Sequence, residues 1–432
     1  MKKILFILYT CCILLFPVSA QQIPSFKAND RIVFLGNSIT EGGHYHSYIW
    51  LYYMTHFPEL PLRIYNGGIG GDCASHMVFR FDSDIKIKKP TYLVCSFGMN
   101  DSGYDGYNKP GYDKYANKQV EYANTEFGKL QQQILADKKI KNVVLLGSSP
   151  YDENVKLEGV ETLHGKNETI KRIIEMQAEV AQKRGWGFVN FNTVMCELNK
   201  EIQQSDSTAT FCGGDRIHPD KDGHMVMAYL FLKAQGLAGK EVAYFHINAT
   251  NRKAMEERNC RITHIKNEND TISFSYLSRS LPFPVDTIPR WGTKGTARDA
   301  VRQVPFMQEM NQEIMKVTDL HGNFRVTIDG TEIGRWDGNE LSKGINLAEI
   351  TCTPQYQQSL SIMYLNEERC AIEKRLRQYM AMQYVFFKHR GLLFADNKAA
   401  LDAAKAERES HYLVKYLYTN YTQAMFPQIR DR

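Results

Sequence analysis

The sequence predicts a three-layer α/β/α sandwich around a five-stranded, mainly parallel sheet. A C-terminal part follows, with a small antiparallel β unit and a long helical hairpin. Three observations predict this. Short apolar runs, most of them closed by glycine, recur between residues 31 and 191. Helical stretches separate them, and strands alternating with helices imply a parallel sheet covered on both faces. Past residue 240 the alternation stops, giving way first to short strands with turn signals and then to long helical periodicity.

Arg31 to Leu35 reads as the first buried strand and ends at Gly36. Leu62 to Asn66 is the second, closed by Gly67-Gly68. Thr91 to Phe97, Asn142 to Leu146 and Gly187 to Phe191 are the third, fourth and fifth. Helices are expected at about 45–56, 72–82, 117–136, 167–184 and 220–235. Right-handed crossovers place them on both faces of the sheet. Reactive groups in such sheets collect beyond the carboxyl ends of the strands.

In the second half, Val242 to Ile247, Cys260 to Ile265, Thr271 to Ser275 and Phe324 to Ile328 read as strands. Asp329-Gly330 is a hairpin turn signal. Arg290 to Ala300 reads as an irregular loop. Pro354 to Lys388 carries helical periodicity that Gly391 breaks, and Asp396 is the expected cap of a second helix to about Ala424. No low-complexity linker lies near residue 240, so the two halves are expected to pack together. The expected division is 1–20, 21–239 and 240–432, the last split into a β unit at 240–350 and a helical pair at 354–424.

Residues 1–20 have the three-part pattern of a secretory signal. Lys2-Lys3 is followed by an apolar stretch from Ile4 to Val18, then by small residues up to Ala20. Secretion or export to a periplasm is expected, with no membrane span after cleavage. Without Lys2 and Lys3 the net charge falls from +5 to +3. That balance carries no nucleic-acid footprint. Seven cysteines remain, at 73, 95, 196, 212, 260, 352 and 370. They form no framework; Cys95 reads as a packed thiol, and Cys196 with Cys212 is the one pairing considered. No CxxC or HExxH occurs, so no metal or cofactor is expected. His44-Tyr45-His46 reads as pocket wall or surface.

The strand ends carry polar blocks. Gly36-Asn37-Ser38-Ile39-Thr40 follows the first strand and Ile69-Gly70-Gly71-Asp72 the second. Gly98-Met99-Asn100-Asp101 follows the third, and Asp215-Arg216-Ile217-His218 precedes the last helix. Alone, each reads as a cap or a turn. Together and in this order they resemble the SGNH (GDSL-type) hydrolase family, over residues 30–236. One departure is visible: Asn37 stands where the family usually has Asp, an acid that is not the family's triad acid.

The resemblance implies Ser38 as nucleophile, His218 as its base and Asp215 as the carboxylate that orients the imidazole. It implies three donors for the developing oxyanion: the backbone N–H of Ser38, that of Gly71, and the side-chain amide of Asn100. Around them, Asn37, Tyr104, Tyr151 and Asp152 are expected to contact substrate. Tyr104, Tyr107, Tyr112 and Tyr115 form either a sugar-stacking wall or a loop packed on itself. The serine is not in a G-x-S-x-G elbow, which disfavours an ordinary α/β-hydrolase. The glycines at 67–71 lack dinucleotide-binding spacing.

The expected function is a serine esterase removing short acyl groups, chiefly acetyl, from a small-molecule or glycan ester. A lipase or lysophospholipase, an acyltransferase, and a non-catalytic carbohydrate-binding protein are the alternatives.

Overall fold

A computed structural model of the chain describes residues 22–268, 271–289 and 294–425. The expected signal at 1–20 and the loop residues 290–293 lie outside the described residues. Five strands form the first sheet: β1 (Arg31–Gly36), β2 (Arg63–Gly68), β3 (Tyr92–Phe97), β4 (Asn142–Gly147) and β5 (Gly187–Asn190). Their order is β2-β1-β3-β4-β5 and every pairing is parallel. The strands read as continuous apolar runs because both faces are buried. Ile32, Phe34, Tyr92, Val94 and Leu146 face one hydrophobic core, whereas Val33, Leu35, Leu93, Cys95 and Leu145 face the other.

Among the described residues, the helices around this sheet are α1 (Ser38–Gly42), α2 (His44–His56), α3 (Ala74–Arg80), α4 (Tyr112–Ala136), α5 (Lys166–Arg184), α6 (Phe191–Ile202) and α7 (Lys221–Ala234). Residues of α2, α6 and α7 fill the first core; Ala74 and Met77 of α3 and Phe127 and Leu130 of α4 fill the second. Helix α6 was not expected. Its signals are the Asn190 cap, which accepts from Thr193 N–H, and apolar residues at 191, 195, 198 and 202. His46 is neither pocket wall nor surface. It is buried, with Nε2 3.2 Å from Thr40 O. Burial pulls its imidazole down to about 4.

The second half differs from expectation in its pairing. Strands β6 (Ala243–Asn248), β7 (Lys253–Arg258), β10 (Glu313–Thr318) and β13 (Ile345–Asn346) form a sheet in the order β13-β10-β6-β7. It is mixed, because β6 and β10 run parallel. A parallel pair needs a long crossover. Here the crossover contains the hairpin β8 (Cys260–Glu268) and β9 (Thr271–Ser278), then α8 (Ala297–Gln303) and α9 (Phe306–Met310). Helix α8 occupies part of the expected irregular loop, started by a Thr296–Asp299 capping box. The expected hairpin is present as β11 (Asn323–Ile328) and β12 (Thr331–Asp337). Asp329 and Gly330 have φ of 50° and 81°, as a tight primed turn requires. Helix α10 (Gly338–Lys343) follows.

Helix α11 (Pro354–Ala381) starts with Thr353 as cap and proline at its first turn. It runs on through irregular turns to Gly391, whose φ is 68°. The expected partner helix is broken into α12 (Lys398–Ala406) and α13 (Tyr412–Thr419). Asn397 caps α12, not Asp396. Asp396 instead accepts hydrogen bonds from Tyr379, Gln383 and Tyr421. The seven cysteines among the described residues are free thiols, so Cys196 and Cys212 are unpaired. Asn167 Nδ2 donates to Cys196 Sγ, and Asn199 Nδ2 to Cys212 Sγ. No described helix is long and apolar enough to cross a membrane.

Helix α11 lies across the outer edge of the first sheet, touching β2, α1 and α2. An edge strand leaves backbone groups without ladder partners. Glu373 Oε1 accepts from Asn66 N–H at 2.7 Å, and Arg377 Nε donates to Gly68 O at 2.9 Å. The second half thus supplies partners for two backbone groups on the open edge of β2.

Candidate active site

The three polar loops at the carboxyl ends of β1, β2 and β3 converge with the loop before α7. Asn37 is buried, and its Oδ1 accepts from Ile39 N–H at 3.0 Å. It caps α1 and is not placed to bind substrate, contrary to expectation. Ser38 therefore opens α1 with its side chain free for other work. Its Oγ lies 2.7 Å from His218 Nε2, and His218 Nδ1 lies 2.5 Å from Asp215 Oδ2. Asp215 Oδ1 accepts the backbone N–H groups of Ile217 and His218, at 3.0 and 2.9 Å.

Partial burial works to raise the Asp215 carboxyl. The hydrogen bond and charge of His218, with the two backbone donors, outweigh it and hold the group below the usual carboxylate range. An ionised carboxylate only accepts, so Nδ1 carries the proton and Nε2 is left to accept from Ser38 Oγ. The histidine and aspartate side chains are 44% and 48% exposed, which makes this an open, shallow site.

The expected oxyanion donors border the same place. A Cβ on Gly70 would lie 4.0 Å from Ser38 Cβ, so the β2 loop passes beside the serine. Gly70 N–H donates to Glu41 Oε2 at 2.5 Å, tying that loop to α1. Gly71 is exposed with φ 81°, and no atom lies within 4 Å of where its Cβ would sit. Backbone conformation, not crowding by the protein, therefore calls for glycine here. Asn100 Nδ2 gives one hydrogen to Asp72 O at 3.0 Å, and Tyr104 Oη donates to Asn100 Oδ1 at 2.8 Å. These two bonds fix the amide plane.

Two other expected substrate contacts, Tyr151 and Asp152, are corrected, whereas the half-buried Tyr104 stays beside the site through Asn100. One face of the Tyr104 ring is occupied by Lys166 Nζ, 3.8 Å from the centroid, and its hydroxyl is spent on Asn100. Tyr151 is buried; its hydroxyl donates to Glu161 O and accepts from Leu163 N–H. Asp152 is buried and accepts from Asn154 N–H, Val155 N–H, Gln203 Nε2 and Thr210 Oγ1. Of the tyrosine-rich stretch, Tyr107 is buried at a right angle to Tyr115, and Tyr112 and Tyr115 belong to α4. That stretch is packed on itself.

Several residues that support the site were not singled out. Lys166 is fully buried and donates to Met99 O, Ser102 Oγ and Gly103 O at 2.8, 2.6 and 2.6 Å, bracing the loop that carries Asn100. Burial pulls its ammonium down to about 7. Arg216 has φ 69°, and its buried guanidinium donates to the carbonyls of Asp152, Val155 and Val160. It anchors the turn between Asp215 and His218. The DRIH block contained Arg216, but not the distant carbonyls that give it a role. Among the described residues, no group of three or more His, Cys, Asp or Glu is arranged to hold a metal ion.

A solved structure described as a gut microbial diltiazem-metabolizing enzyme matches this chain over 95% of its length and 93% of its own. The two are 48% identical, with a TM-score of 0.92. The family model for GDSL-like lipases and acylhydrolases matches residues 34–226. The chain belongs to the SGNH (GDSL-type) hydrolase family. It is a carboxylic ester hydrolase of that family, built on the parallel-sheet sandwich described above. A second family model, the diltiazem deacetylase C-terminal helical domain, matches residues 360–432. An acetylxylan esterase of Geobacillus stearothermophilus is 22% identical over 224 residues, which are 48% of this SGNH chain and 95% of that protein. One solved structure of that esterase is 20% identical over 49% of this chain, with a TM-score of 0.38.

Proposed function

We propose that this esterase removes short acyl groups, chiefly acetyl, through an acyl-serine intermediate on Ser38. The observation that carries the reading is the unbroken relay from Ser38 Oγ to His218 to Asp215. His218 takes the hydroxyl proton as Ser38 attacks the ester carbonyl, and later returns it to the departing alcohol. Ser38 N–H, Gly71 N–H and Asn100 Nδ2 receive the charge that develops on the carbonyl oxygen. Water then releases the acid. No metal or cofactor enters these steps.

Acetyl is favoured by the names of the relatives: a deacetylase for the C-terminal helices and an acetylxylan esterase for the first half. The open site suits a bulky, polar alcohol, and an acetylated carbohydrate is the substrate class proposed. In this reading residues 21–239 carry the chemistry and 240–432 support it. Hydrolysis rates on p-nitrophenyl esters are expected to fall from acetate through butyrate to octanoate. Acetate release is expected from acetylated xylo-oligosaccharides and from diltiazem. A rate that rises with chain length would point to a lipase-type acylhydrolase, and acetyl recovered on a sugar hydroxyl to a transferase. Export is proposed from the pattern of residues 1–20. Sequencing the N-terminus of the mature protein is expected to start at Gln21, and an intact Met1 would overturn it.

A further inference from the structure

We propose that Arg377, on the C-terminal helix α11, is a positioning residue for the oxyanion donors beside Ser38. The proposal rests on the acyl-serine reading above. Strand β2 is the sheet edge, and its last residues lead straight into the loop that carries Gly71. Arg377 Nε holds Gly68 O at 2.9 Å, and Nη1 and Nη2 each reach an oxygen of Asp84 at 2.8 Å. Asp84 also receives Arg80 Nη1 at 2.5 Å and Lys88 Nζ at 2.6 Å. Arg80 continues the network to Gly67 O at 2.7 Å, Gly36 O at 3.2 Å and Asp72 Oδ2 at 2.7 Å.

Each end of this network lies behind one proposed donor. Gly36 precedes the turn that presents Ser38 N–H. Gly67 and Gly68 root the loop that presents Gly71 N–H. Asp72 O accepts the hydrogen bond that orients Asn100. Two guanidinium groups and two carboxylates thus brace all three donors, and the network is closed by a residue 309 positions away from Gly68.

Asp72, Arg80, Asp84 and Arg377 are at most 3% exposed. Buried ion networks contribute little net stability, because desolvation offsets the Coulomb attraction. What this one supplies is direction: a planar guanidinium has donors in a fixed fork, which a lysine cannot reproduce. Oxyanion stabilisation depends on donors held in place before reaction, and misplacement of about 1 Å costs on the order of a hundredfold.

The test compares the full-length protein with Arg377→Lys, Asn366→Ala and Ser38→Ala, reading kcat and KM on p-nitrophenyl acetate together with thermal unfolding. Asn366 docks the same helix through Ser47 O and Oγ, outside the network. Arg377→Lys is expected to fold and to lose at least about tenfold in kcat, with KM within about twofold. Asn366→Ala is expected to lower Tm and leave kcat within about twofold. The proposal is overturned if Arg377→Lys keeps the wild-type kcat, or if both variants lose kcat in step with Tm. An Arg377→Lys chain that does not fold also overturns it, by marking a purely structural role. Activity that survives Ser38→Ala sinks the acyl-serine reading first and the proposal with it, whatever Arg377→Lys does.

Discussion

Ser38→Ala is expected to lower kcat on p-nitrophenyl acetate by about a million-fold, about 8 kcal/mol of transition-state stabilisation at 1.36 kcal/mol per decade. The hydroxyl 2.7 Å from His218 Nε2 is the group placed to form the acyl bond. Without it, the oxyanion donors can only assist attack by water. Stability is expected to change little. The first turn of α1 is capped by Asn37 Oδ1, so Ser38 Oγ is not needed to hold the helix. Steady-state kinetics with thermal unfolding measured beside it separate the two effects. A variant retaining more than about one hundredth of the wild-type rate would remove Ser38 from the chemistry.

The strands of the first sheet were legible because burial on both faces makes them apolar throughout. Val33 and Phe34 point to opposite cores and are both fully buried. Strand β7 was not legible for the opposite reason. Lys253–Arg258 is exposed at five of six positions, so it carries no apolar alternation. Strand β10 starts at Glu313, a buried carboxylate whose partners Tyr276 and Gln355 are far away in sequence. Ser38, Asp215 and His218 could be read because their blocks are short and local. Asp152 could not, because its partners Gln203 and Thr210 lie 51 and 58 residues on. The packing of Lys166 on the Tyr104 ring could not, because the two residues are far apart in the chain. Lys166 and Arg377 act through carbonyls 63 to 309 positions away, and nothing local in their own segments signals that. What a strand end offers was written in the sequence; what steadies it was contributed by distant elements that only packing brings close.

Asp215→Asn is expected to preserve the fold and lower kcat by about ten-thousand-fold, about 5 kcal/mol. The reason lies in which oxygen does what. Asp215 Oδ1 accepts two backbone N–H groups, from Ile217 and His218, and Oδ2 accepts His218 Nδ1–H. In the asparagine variant only one of the two positions is an oxygen. The two backbone donors require it at Oδ1, so the amide nitrogen faces Nδ1 and donates to it. Nδ1 must then accept, the imidazole proton moves to Nε2, and Nε2 can no longer take the proton of Ser38. The turn keeps both backbone bonds, so the loss falls on chemistry and not on stability. Nitrogen NMR of His218 should find the proton on Nε2 in the variant and on Nδ1 in the wild type. A variant within about tenfold of the wild-type kcat, or one that keeps the proton on Nδ1, would show that Asp215 does not set the tautomer. Asp215→Ala would not give the same answer, because it also removes the acceptor for Ile217 and His218 N–H and so loosens the turn that Arg216 anchors.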